Sequence, residues 1–250
     1  MNRLVKRIIV KFLSSLGYSI HPINKKYQNI AVELDDSDVD LIKYVFDRGY
    51  TMTNVPKLIS TLKSCKYVVE NKISGDFVEC GVWRGGNGIL AKRLFEELDP
   101  QRRVWMFDTF EGMTAPTEYD VNTFSKIHSG KKFEDSQRDT HNDWCYASLE
   151  DVQNNCINSD LKLDGISFIK GDVKKTLLVK DNLPREISIL RLDTDWYEST
   201  KCELEVLYPI LTVGGVLIID DYGYWQGSRK AVDEYFSGCD YKPLFNVTDR

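Results

Sequence analysis

The chain has 250 residues, 42% of them hydrophobic and 28% charged, with a net charge of −5 and a pI near 5.4. This composition excludes a disordered chain and leaves room for one large domain or two small ones. There is no global basic field, so no nucleic-acid partner is expected, and no apolar run of about eighteen residues, so no transmembrane span is expected.

The six cysteines, Cys65, Cys80, Cys145, Cys156, Cys202 and Cys239, contain no CxxC pair. They read as free thiols of a reducing compartment, which makes a cytoplasmic location the expectation. Residues 1–30 read as an amphipathic helix and a linker. Leu4, Ile8, Phe12 and Leu16 fall on one helical face, and Lys11 interrupts what would otherwise mimic a signal peptide. Such a helix docks on its own domain, on a partner subunit or on a membrane surface.

The remainder, 31–250, reads as a single domain whose helices over 31–74 precede a sheet. Asp35-Asp36-Ser37-Asp38 starts a helix through Phe46, and Gly49 ends it. A second helix runs from about Val55 to Asn71, with Leu58, Leu62 and Val69 at helical spacing. Gly75 breaks it, and a strand follows from Asp76 to Cys80. Gly81, Gly85 and Gly86 then form a turn before a helix to Leu98. Glycine there lets backbone amides approach a ligand, but the spacing is not GxGxxG, so on spacing alone no cofactor is named.

Val104 to Asp108 is the second strand of a βαβ unit. An acid at its end binds a ribose diol or simply caps a helix, and spacing does not choose between them. Residues 109–144 are too long for a passive connection and read as an active-site loop. His141 within it is a candidate general base, with a structural histidine as the plainer alternative. Ser148 and Asp151 cap a helix to about Asn158. Further strands are expected at Ile166–Ile169, Ile187–Asp193 and Val216–Asp220, with Gly214-Gly215 as the turn into the last. Helices are expected from Ser199-Thr200 onward and, capped by Ser228, through Phe236. Tyr241 to Val247 reads as a sixth strand, with little room for a seventh.

Asp193 and the pair Asp220-Asp221 end the fourth and fifth of these strands, and Asp195 follows two residues after Asp193. Adjacent parallel strands bring such carboxylates close together, and they resist burial unless a cation joins them. Oxygen-only ligands favour magnesium, calcium or manganese. Solvated turn acids are the alternative. A cation here would lower the pKa of a coordinated hydroxyl, with His141 or Asp193 to take the proton.

The chain resembles the macrocin O-methyltransferase (TylF-type) family of class I S-adenosylmethionine-dependent methyltransferases. The resemblance rests on Tyr50-Thr-Met-Thr53, Gly75-Asp-Phe-Val-Glu-Cys-Gly-Val-Trp-Arg-Gly-Gly86, Asp108-Thr-Phe-Glu-Gly-Met113, Ser148-Leu-Glu-Asp-Val152, Leu190-Arg-Leu-Asp-Thr-Asp-Trp-Tyr-Glu-Ser-Thr200 and Asp220-Asp-Tyr-Gly223 with Ala231-Val-Asp-Glu-Tyr235. It implies an α/β fold, a Rossmann-like seven-stranded sheet with helices on both faces, its C-terminal hairpin incomplete here. It implies magnesium-dependent methyl transfer from S-adenosyl-L-methionine to a sugar hydroxyl, within a vicinal diol. By the same resemblance, Glu79, Gly81 and Gly85 hold the amino-acid part of the cofactor, Asp108 its ribose, and Asp172 lies near its adenine. Thr51, Met52 and Thr53 close over it. Asp193, Asp220 and Asp221 ligate Mg2+, with His141 and Asp193 as catalytic residues. The implied acceptor is a sugar-containing small molecule, a nucleotide sugar or a glycan, and a homo-oligomer is expected. A methyltransferase of a catechol-like diol and a noncatalytic cofactor-binding scaffold are the rival readings.

Overall fold

The computed structural model describes residues 34–248. The helix expected over residues 1–30, and with it any membrane contact, lies outside them. Five apolar runs form parallel strands: β1 (Asp76–Cys80), β2 (Val104–Asp108), β3 (Ile166–Lys170), β4 (Ile187–Leu192) and β5 (Leu211–Ile219). Their order is β3-β2-β1-β4-β5. Winding therefore reverses between β1 and β4, and the crevice beyond the carboxyl ends of those strands is where such sheets bind ligands.

Helices cover both faces, as an all-parallel sheet requires. On one side lie α1 (Asp36–Asp47), α2 (Val55–Glu70), α3 (Gly86–Leu98) and, beyond the short α4 (Gly130–Asp135), α5 (Leu149–Ile157). The other side carries α6 (Val173–Thr176), α7 (Tyr197–Leu207) and α8 (Gln226–Ser237). Strand alternation feeds the two cores separately. Phe77, Met106 and Ile189 join Leu58, Leu62 and Leu90 in one, while Val78, Phe107 and Leu190 join Leu204, Val232 and Phe236 in the other. On that alternation Glu79 and Arg191, paired in register, fall on the α2–α3 side.

Local chemistry explains the helix starts. Asp35 accepts from the Asp38 amide at 2.9 Å while the Asp38 carboxylate accepts from the Asp35 amide at 3.3 Å, a reciprocal cap. Asn54 caps α2 through the Lys57 amide, and Ser148 caps α5 through the Asp151 amide, as the sequence predicts for the latter.

Three expectations change. Gly214-Gly215 are not a turn before the fifth strand but lie inside it. The pairing jumps from Ile187 with Leu211 to Ile189 with Val216, so the glycines form a bulge, Gly214 having φ +87°. Ser228 does not cap α8; Trp225 holds that position and Ser228 is buried in the first turn. Tyr241 to Val247 is coil rather than a sixth strand. Pro243 removes a ladder donor there, and Leu244 is 96% exposed. Phe245 stacks on Tyr222 instead, with ring centroids 5.3 Å apart. Among the described residues the sheet thus has five strands, with β3 and β5 at its edges.

Candidate active site

A cavity of about 630 Å³ opens beyond the carboxyl ends of the strands, within the usual range for a small-molecule site. Of the residues singled out in the sequence, Thr51, Met52, Thr53, Glu79, Gly81, Asp108, Asp172, Asp193, Asp220 and Asp221 line it. Gly85 and His141 do not.

The glycine turn is shaped by its own chain. Gly81 has φ +82°, and a Cβ there would overlap the carbonyl oxygen of Asp193. Its role is to let the β1 and β4 loops cross. Gly85, φ +85°, starts α3 in the left-handed region and packs against Val152. Trp83 takes a positive φ of 47° without being glycine, and lines the cavity. Asp108 organises this turn. Its carboxylate accepts from the amides of Val82 at 2.8 Å, Trp83 at 3.1 Å and Phe110 at 2.7 Å. Burial pushes its pKa up, against the pull of those amides. Asp172 caps α6 through the Lys174 amide at 2.9 Å.

Arg191 is the hub that sequence reading missed. It is 1% exposed, and its guanidinium meets Glu79 at 2.9 Å, Asp193 at 2.6 Å and Asp220. Nη2 also donates to Thr53 Oγ1 at 3.3 Å, which ties in the segment ahead of α2. Lys57 of α2 reaches Asp220 at 2.7 Å. One guanidinium does not balance this many acids. Burial raises Glu79, to about 8, against the attraction of Arg191. Asp220 goes the other way: burial would raise it, but Arg191 and Lys57 hold it below its ordinary value. Glu79 Oε2 is buried with no hydrogen-bond partner, an acceptor left over for a further cationic donor. A lone charge inside the apolar run of β4 was the available signal, because a strand buried on both faces rarely carries one unpaired.

Asp193, Asp195 and Asp221 gather so that one oxygen of each lies within 4.8 Å of the others. Asp195, noted in the sequence only as a neighbour, thus joins the cluster, while Asp220, expected there, is turned to Lys57 and Arg191. Asp195 adopts φ +66°, a conformation uncommon outside glycine. Burial raises Asp193 to about 7 and Asp195 to about 6. It raises Asp221 well above the carboxylate range, with Asp195 and Asp193 adding repulsion. Asp221 Oδ2 is buried and unpartnered. Three crowded carboxylates and an orphaned acceptor fit a hard divalent cation, with Asp193, Asp195 and Asp221 as its ligands.

The sign of the linkage follows. All three groups hold protons more tightly here than in water, and a cation binds only their ionised forms. Mn2+ affinity is therefore expected to rise from pH 6 to pH 8, with release of roughly one to two protons at pH 7. Calorimetry in buffers of different ionisation enthalpy reads that number, and an affinity flat with pH would dismiss the cluster as the binding site.

The 109–144 loop covers the cavity, as its length implies. Asp120 pins it: the buried carboxylate accepts from the Thr117 amide at 2.6 Å and the Tyr197 amide at 2.8 Å, and Gly227 leaves the space it needs. The loop contributes Met113, Ile127, His128, Lys132 and Trp144 to the lining. Trp144, Trp196 and Trp225 pack with centroids 5.1 to 6.1 Å apart, and Lys132 Nζ sits 3.8 Å over the Trp144 ring. His141 faces an adjoining depression, where Nε2 lies 2.9 Å from Asp143 and the ring stacks on Tyr146 at 4.1 Å. His128 does line the cavity, but Nε2 is 2.7 Å from the Thr117 carbonyl and Nδ1 accepts from the Gly130 amide at 3.0 Å. Both ring nitrogens are thus engaged.

Comparison with known proteins bears on this site. The family model for macrocin O-methyltransferase (TylF) matches residues 12–246. Demethyldecarbamoylnovobiocin O-methyltransferase of Streptomyces niveus is 33% identical over 204 residues, 81% of this chain and 73% of that protein. An 8-demethyl-8-(2,3-dimethoxy-alpha-L-rhamnosyl)-tetracenomycin-C 4′-O-methyltransferase of Streptomyces olivaceus is 34% identical over 191 residues, 75% and 67% of the two chains. The solved structure of the O-methyltransferase NovP superposes with a TM-score of 0.70 at 32% identity, covering 80% of this chain and 79% of that one.

Proposed function

The chain belongs to the macrocin O-methyltransferase family and is an O-methyltransferase, and from that premise we infer that it transfers methyl from S-adenosyl-L-methionine to a sugar hydroxyl within a vicinal diol, with Mg2+ bound. The observation that carries this reading is one cavity holding two unmet needs for positive charge, at Glu79 Oε2 and at Asp221 Oδ2.

The residues divide accordingly. Glu79 would receive the cofactor's ammonium, a cation that offsets the charge Arg191 leaves unbalanced. Gly81 to Trp83 would wrap its amino-acid part. Asp108, by folding the turn, would shape the wall along its ribose, and Asp172 would bound the adenine end. Thr51 to Thr53 close the cavity from the α2 side, with Met52 60% exposed at the mouth. When bound, the cofactor supplies an electrophilic methyl group, and Mg2+ held by Asp193, Asp195 and Asp221 would acidify a coordinated hydroxyl. Asp193, expected as a base, would instead serve as a cation ligand paired with Arg191, and His141 stands outside that cavity. The aromatic wall of Trp144, Tyr224 and Trp225 suits the apolar face of a sugar ring. One relative is named for a rhamnosyl-bearing substrate, which supports a sugar acceptor.

The test is transfer of labelled methyl from S-adenosylmethionine to sugars with vicinal diols, free, nucleotide-linked and glycosidic. Transfer that chelator stops and Mg2+ restores is expected. Transfer undiminished in excess chelator would remove the metal from the reaction.

A further inference from the structure

Glu203 of α7 is fully buried, yet nothing in the reaction above uses it. Its Oε1 accepts from Thr194 Oγ1 at 2.8 Å, and its Oε2 has no partner. Thr194 lies between Asp193 and Asp195, two of the carboxylates assigned to the cation. Its carbonyl accepts from the Trp196 amide at 2.7 Å and from Ser199 Oγ at 3.3 Å. Gly81 fits against the carbonyl of Asp193 from the opposite side. The loop is thus held at Asp193 and Thr194, while Asp195 sits at φ +66°. A backbone in that conformation persists only when its surroundings determine it. The Thr194 side chain has one hydrogen bond, and Glu203 is its acceptor.

We propose that Glu203 is a positioning residue for the cation site, acting through Thr194 to fix the loop that presents Asp193 and Asp195. The inference rests on the metal reading above. A buried carboxyl is costly and requires a compensating role. Burial pushes the Glu203 carboxyl up, to about 8. Glutamine is the conservative substitute, since it keeps a carbonyl oxygen to accept from Thr194.

The test is Mn2+ titration at pH 7.5, followed by electron paramagnetic resonance of the free ion, beside calorimetric S-adenosylhomocysteine titration without metal. Outer partners of metal ligands typically contribute 10- to 100-fold to affinity. Glu203→Leu and Thr194→Val are each expected to weaken Mn2+ binding by about 10-fold or more, Glu203→Gln by less than about 3-fold. The double variant Thr194→Val with Glu203→Leu should be no weaker than the worse single one, because both break the same bond. S-adenosylhomocysteine affinity should not change. Thr194→Val is nearly isosteric at a half-buried site, so it reports even where Glu203→Leu fails to fold. Wild-type Mn2+ affinity in Thr194→Val overturns the inference while leaving the metal reading intact. Equal losses of Mn2+ and S-adenosylhomocysteine binding overturn it too, by showing general support of the cavity. No Mn2+ binding by the wild-type protein overturns both.

Discussion

Asp221→Asn is expected to lower turnover by more than about 100-fold while leaving S-adenosylhomocysteine affinity within about 3-fold of wild type. Asparagine keeps the size of the side chain and removes the charge. The lost charge belongs to a residue that is buried among carboxylates and has one oxygen with no partner. Without a cation, that arrangement is unfavourable. The substitution should therefore stabilise the metal-free fold slightly, since it removes a group that must otherwise hold a proton. Activity falling as stability rises is the signature of a residue kept for function. The cofactor end is formed instead by Glu79 and the glycine turn, which is why its affinity should survive. Steady-state kinetics with a thermal melt checks both halves. A variant with wild-type turnover would remove Asp221 from the cation site.

Arg191→Met is expected to cost about 3–5 kcal/mol of stability, because it strands buried Glu79 and the partly buried Asp193 and Asp220 without their shared counter-ion. For a domain of this size that corresponds to a fall in Tm on the order of 6–20 °C. The pH dependence separates this cause from lost packing. Stranded carboxylates have folded pKa values above their unfolded ones, so the folded state holds more protons and loses stability as pH rises through that interval. The deficit of the variant should therefore be larger at pH 8 than at pH 5.5. A deficit equal at the two pH values would indicate that the stem of Arg191 matters and its charge does not.

The strands and most helices were legible because their signals are local. β1 and β2 occupy the residues their apolar runs mark, and the Ser148 cap falls where a serine three residues before an acid places it. The bulge at Gly214-Gly215 was not legible, because a pair of glycines reads equally as a turn, and only the register against β4 distinguishes the two. The sixth strand failed for a related reason. Tyr241 to Val247 carries strand-forming residues, but a strand needs a partner, and sequence pattern does not supply one.

At the site, the residue types were legible and their pairing was not. Three aspartates at strand ends implied a cluster, yet the choice of Asp195 over Asp220 depends on Lys57 and Arg191, which arrive from α2 and from within β4. Asp108 was read as a ligand for a ribose diol, and it lines the cavity. Its hydrogen bonds go to the turn, however, because three backbone amides converge on it. His141 carried the right chemistry for a base, but loop geometry sets it against Asp143 and Tyr146 in the adjoining depression. Charge compensation across elements, more than motif spacing, thus decides which acids gather into the cluster.

The most direct measurement is calorimetric titration of the protein with S-adenosylhomocysteine, with and without Mg2+. One-to-one binding in both conditions, abolished or weakened more than about 10-fold by Glu79→Leu, is the expected result, since removing a charged hydrogen-bond acceptor costs about 1.5–3 kcal/mol. Absence of binding to folded protein would contradict a cofactor site in this cavity, and binding indifferent to Glu79→Leu would place the ammonium elsewhere.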